Sequence, residues 1–135
     1  LEFKEGKVVN ATATENEEVL KRFIENNENA DKLGEVSVVA GSPIFDIGKV
    51  FKNILLDENA TCHIALGRAY SFAVEGAEDI TGQDKKEAYL KKYNANDSPV
   101  HLDFMIGGNN VNVYMKKSGD PSSEKLLIKN NKFHL

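Results

Sequence analysis

The chain has 135 residues, 41% of them hydrophobic and 28% charged, with a formal net charge of −4. That length and balance suit one domain with room for a core and exclude a disordered chain. No apolar run approaches the roughly 18–20 residues that span a bilayer, and an acidic chain without a long basic run argues against nucleic-acid binding.

LEFK and KVVNATA alternate apolar and polar residues about EGK, which predicts a hairpin with Gly6 in its turn. The pattern opens at Leu1, already in mid-strand, so a piece of a longer protein is expected. NEEVLKRFIENNENADKLG predicts a helix with Asn16 as N-cap, Val19, Leu20, Phe23 and Ile24 at helical spacing, and Gly34 as its stop. EVSVVA (35–40) reads as a β-branched strand. After a turn at Pro43, Ile47, Val50, Phe51, Ile54 and Leu55 form the stripe of a packed helix. CHIALG (62–67) reads as a strand. Residues 75–97 are polar and punctuated by glycine, an excursion from the core. Within it DKKEAYLKK (84–92) predicts a helix whose basic residues, interrupted by acids, make a solvated face. VHLDFMI and VNVYMKK are strands joined by GGNN, and KLLIK and KFHL close the chain as a hairpin about Asn130 and Asn131. The expected class is α+β, with a largely antiparallel sheet or partial barrel and a few packed helices.

Polar residues with chemical potential fall in LLDENATCHIALGRAY (55–70) and SPVHLDFMIG (98–107). On a strand His101 and Asp103 share one face, with backbones about 6.6 Å apart. That pair suits a divalent cation, or simply the wet face of an amphipathic strand. Glu58 and His63 would diverge by about 140° on a continuous helix, so a common site requires the helix to end near Leu56 or Asp57. Otherwise Glu58 is a surface acid and His63 a hydrogen-bonded core histidine. Glu35 opens a strand and Tyr70 follows LGRA; a surface acid and a core tyrosine are the ordinary readings. Cys62 is the single cysteine, which precludes an intrachain disulfide and fits a reducing compartment, with the cytoplasm expected. As strand neighbours, Cys62 and His63 face opposite ways and cannot form a nucleophile–base pair with each other. Taken together, Glu35, Glu58, His63, His101 and Asp103 are the donor types that hard and borderline cations prefer.

LGEVSVV, SPI, LLDENATCHIALGRAY and HLDFMIG, in this order, resemble the C-terminal part of the aminopeptidase T and aminopeptidase S family of metallo-aminopeptidases. The opening FKEGKVVNATATENEEVLKRFI is similar to the segment that precedes LGE there. This resemblance spans nearly all of residues 1–135 and implies the C-terminal catalytic region of a cytoplasmic, homodimeric enzyme. Such an enzyme removes N-terminal residues from peptide substrates with two divalent metal ions, usually zinc or cobalt. It implies Glu35 as the bridging, catalytic glutamate of the GE motif, His63 as the histidine of CHIALG, and His101 and Asp103 as the HxDF pair. Tyr70 matches a tyrosine beside the metals, and Glu58 lies in the matching DENA string as a ligand or acid/base. The family has a larger N-terminal domain and a further metal-binding glutamate upstream, neither matched here, and the excursion at 75–97 is longer than its pattern. The resemblance therefore implies an incomplete site and little or no activity in this chain by itself. Two other classes stand beside it: a non-catalytic interaction or folding module, and a cysteine-dependent hydrolase using Cys62.

Overall fold

A computed structural model describes residues 1–134. Strands β1 (Glu2–Lys4) and β2 (Lys7–Asn10) pair antiparallel, as expected. Glu5 and Gly6 between them have φ of 51° and 79°, the two successive positive values that a tight type I′ turn needs.

Helix α1 (Glu17–Asn26) keeps the predicted start but not the predicted cap. Asn16 lies in the left-handed region at φ 57° and its side chain caps nothing. Glu17 instead ties the helix start to the segment before it: its carboxylate accepts the Ala13 N–H at 3.1 Å and pairs with Lys21 at 2.5 Å. The Lys21 ammonium first, then the Ala13 N–H, hold this carboxyl below the usual carboxylate range. The helix stops at Asn27, whose side-chain amide donates to the Phe23 carbonyl at 2.8 Å, well before Gly34. Gly34 instead lies inside strand β3 (Leu33–Ser37), which starts and ends earlier than expected.

The packed helix expected after Pro43 is two short helices, α2 (Pro43–Ile47) and α3 (Ile54–Glu58). Gly48 closes α2 at φ 65°, and Ser42 and Asn53 cap the two N-termini by accepting the N–H of Phe45 and Leu56. Asp57 adds bonds from the Phe51 and Asn53 N–H groups. These local bonds override the apolar spacing, and the stripe is left outward: Val50, Ile54 and Leu55 are 80%, 73% and 71% exposed. Ile54→Ser in this chain is therefore expected to change stability by less than about 0.5 kcal/mol in urea unfolding. A larger loss would mean that Ile54 is covered.

Strands β3, β4 (His63–Gly67) and β5 (His101–Met105) form one sheet in the order β3–β4–β5. Helix α4 (Gln83–Lys92) occupies the excursion, close to its predicted bounds. The expected pairing across GGNN does not form. Strand β6 (Val113–Met115) belongs to a separate antiparallel sheet with β7 (Lys125–Lys129) and β8 (Lys132–Phe133). Asn130 and Asn131, at φ 49° and 62°, turn the closing hairpin. Among the described residues, four α-helices and several sheets give the mixed class predicted, and no sheet closes into a barrel.

The chain divides into two compact units, one of residues 1–36 with 65–103, the other of residues 37–64 with 104–135. The first buries Ala11, Ala30, Ala65, Leu66, Ala77 and Ser98; the second buries Thr61, Cys62, His63, Ile128 and Asn131. In the first unit two glycines permit close backbone packing. A Cβ on Gly34 would overlap the Gly67 carbonyl oxygen and lie 2.5 Å from that of Arg68. A Cβ on Gly67, whose φ is 94°, would overlap the Val100 carbonyl oxygen.

Candidate metal centre

The period-2 alternation of β5 sets His101 and Asp103 on one face, as the sequence predicts, and β3 brings Glu35 to them. His101 Nε2 lies 3.2 Å from Asp103 Oδ1 and 3.5 Å from Glu35 Oε2. Its Nδ1 lies 2.7 Å from the Arg68 carbonyl oxygen. A carbonyl oxygen can only accept, so Nδ1 carries a hydrogen, and Nε2 is the ring nitrogen turned toward the two carboxylates. All three side chains are mostly withdrawn from solvent. An imidazole nitrogen and two carboxylates converging away from water are a donor set for a cation.

Tyr70 stands against this group, its ring tilted on that of His101 with centroids 4.9 Å apart. Phe72 stacks on the Tyr70 ring, with centroids 5.2 Å apart. Tyr70 is half-exposed, so the predicted neighbour of the site is neither a core residue nor remote from the histidine.

His63 opens β4, only 2% exposed, with Nδ1 donating to the Thr61 carbonyl at 3.0 Å. One ligand atom each from Glu35 on β3, His63 on β4 and Asp103 on β5 lie within 4.8 Å of one another. Glu58 is the last residue of α3, half-buried, with the Asn59 amide 3.3 Å from its Oε1. Cys62 is buried and its thiol donates to the Val39 carbonyl at 3.2 Å, the setting of a structural rather than a reactive cysteine.

Residues 1–133 match the family described as thermophilic metalloprotease (M29). The chain belongs to this family. As an M29 member it is 45% identical over 112 residues to aminopeptidase PepS of Streptococcus thermophilus, covering 82% of this chain and 26% of that protein. It is 42% identical over the same length to aminopeptidase T of Thermus thermophilus, again covering 82% of this chain and 26% of the relative. The solved structure of wild-type AmpT from Thermus thermophilus superposes with a TM-score of 0.80 at 35% identity, covering 98% of this chain and 31% of that one. The resemblance carried by LGE, CHIALG and HLDF is thus borne out. This M29 chain spans about a quarter of the length of the curated relatives it matches.

Sequence reasoning missed three residues that hold the cluster in place: Arg68, Asn96 and Ser98. Asn96 donates through Nδ2 to the carbonyls of Asn29 and Lys32, at 3.0 and 3.2 Å, on the way into β3. Its Oδ1 accepts the Ser98 N–H at 3.1 Å, on the way into β5. The signal available was SPVHLDF itself: a small polar residue and a proline just ahead of a strand mark a chain held by side chains rather than by a ladder.

Proposed function

We propose that this chain supplies the C-terminal part of the catalytic region of a two-metal aminopeptidase, which hydrolyses the N-terminal residue from cytoplasmic peptides and works as a homodimer. The observation that carries this reading is the convergence of His101 Nε2 with the carboxylates of Glu35 and Asp103 in a member of a metalloprotease family. In this reading Glu35, His63, His101 and Asp103 would hold two divalent ions, zinc or cobalt, with Glu58 as a further ligand or acid/base. When bound, the ions supply Lewis acidity and bring the pKa of a coordinated water near neutrality.

The rest of the chemistry falls to the chain. A carboxylate oxygen of Glu35 or Glu58 takes a proton from the attacking water as its oxygen bonds to the peptide carbonyl carbon. The same carboxyl returns that proton to the amide nitrogen as the C–N bond breaks, releasing an amine. The Tyr70 hydroxyl donates a hydrogen bond to the carbonyl oxygen as it gains charge, and its seat beside His101 suits that task. With only part of the family's length, this chain by itself is expected to have little or no activity, because the rest of the substrate's surroundings is missing.

A graft tests the proposal. Residues 1–135 would replace the matching segment of aminopeptidase T from Thermus thermophilus. The chimaera, loaded with zinc or cobalt, is expected to hydrolyse leucine p-nitroanilide and to lose that activity by at least about 10³-fold on Glu35→Ala, the range in which single electrostatic and proton-transfer groups act. A folded, metal-loaded chimaera without activity, or full activity in the Glu35→Ala form, would overturn it.

A further inference from the structure

We propose that Arg68 is a positioning residue of the metal centre: its main-chain carbonyl selects the His101 tautomer, and its side chain holds that carbonyl in place. The inference rests on the reading of His101 as a ligand through Nε2.

Arg68 is the first residue beyond β4, and it is bonded three times to the segment that carries the site histidine. Its N–H donates to the Val100 carbonyl at 2.7 Å. Its carbonyl accepts the His101 Nδ1–H at 2.7 Å. Its Nε–H donates to the carbonyl of Ser98, a fully buried residue, at 2.9 Å. The opposite tautomer would set an Nδ1 lone pair against a carbonyl oxygen at that same 2.7 Å, acceptor against acceptor. With Nδ1–H fixed, Nε2 is the atom through which His101 would bind a cation, and it is the atom now bonded to Asp103 at 3.2 Å and turned to Glu35 at 3.5 Å. Histidines that bind metals commonly donate their second nitrogen to such a carbonyl.

The position of the Arg68 carbonyl is itself enforced from several sides. Gly34 lets it approach, since any Cβ there would press on it. Ala69 N–H donates to the Asn96 carbonyl at 2.8 Å, and the Asn96 side chain ties the same corner to the segment leading to Glu35. Arg68 is thus a strut on the frame that also carries the carboxylates. What the strut requires is a donor at the fourth side-chain atom, aimed sideways. Glutamine has an N–H at that atom, and methionine has a methyl group of similar reach.

The pair Arg68→Gln and Arg68→Met in the 135-residue chain separates the donor from the charge. The chain has three histidines, so ¹⁵N labelling of histidine gives three ring systems whose tautomers are read directly by long-range NMR correlation. Zinc affinity is measured by competition with a chromogenic chelator. Wild type and Arg68→Gln are expected to show a slowly exchanging His101 Nδ1–H and affinities within about threefold of each other. Arg68→Met is expected to bind zinc about 10–100-fold more weakly, the range for loss of an outer partner, and its Nδ1–H to exchange rapidly with water, while its melting temperature stays within a few degrees. The proposal is overturned if Arg68→Met keeps both the affinity and the protected Nδ1–H, or if Arg68→Gln loses as much as Arg68→Met. Should the wild-type chain bind no zinc, the ligand reading fails and Nδ1–H exchange alone decides the strut. Should Arg68→Met fail to fold, a wild-type His101 lacking an Nδ1–H overturns the proposal by itself.

Discussion

His101→Ala is expected to weaken zinc or cobalt binding to this chain by more than 100-fold. Loss of a partner one step removed from a metal costs about 10–100-fold, and His101 is proposed as a direct ligand, so its loss costs more. The substitution leaves the Glu35 and Asp103 carboxylates without the nitrogen that stands 3.5 and 3.2 Å from them. It also removes the ring on which Tyr70 leans. Cobalt is the useful probe, because its visible absorption reports a nitrogen ligand and calorimetry gives the affinity in the same titration. Binding in the wild type that vanishes in His101→Ala places the ion on β5. An unchanged affinity would move the ion elsewhere and leave the M29 relationship without a centre at this residue.

Gly67→Ala should be the most damaging single methyl group in the first unit. At φ 94° the backbone of residue 67 is in a region that side chains rarely adopt, and the added carbon would overlap the Val100 carbonyl oxygen. Each effect alone costs about 1–3 kcal/mol, and neither can relax without moving residues 100 and 101. A loss of at least about 3 kcal/mol is expected, a large share of the roughly 5–15 kcal/mol that holds a domain folded. At this chain length it corresponds to a fall in melting temperature of about 10 °C or more. A fall of under about 2 °C in thermal unfolding followed by circular dichroism would show that the two strands separate easily.

The contrast between these glycines and the apolar stripe shows which features the sequence carried openly. Both terminal hairpins were legible, because Glu5-Gly6 and Asn130-Asn131 name their own turn geometry. The strand of HLDF was legible from period 2, and so was the shared face of His101 and Asp103. The family motifs carried Glu35 and Tyr70, which periodicity alone read as ordinary surface and core residues. The stripe from Ile47 to Leu55 misled, since Gly48 and the caps at Ser42 and Asn53 decide the matter locally while the spacing runs over nine residues. Gly34 was read as a helix stop because a glycine's local role is visible in sequence and its approach to Arg68, thirty-four positions away, is not. Asn96 was illegible for the same reason: its bonds run to residues 29 and 32, and nothing near it in the chain announces them.

The two units are interleaved along the chain, and this has a consequence for synthesis on the ribosome. Residues 1–36 belong with 65–103, and 37–64 belong with 104–135. At about 5–20 residues per second, the first 36 residues wait several seconds for the segment that completes their unit, with the second unit's opening half emerging in between. No cut in the gene frees either unit as one continuous product. Expression trials that trim the chain from either end will therefore remove part of one unit while stranding its other half, and a soluble truncation product should not be read as a minimal domain.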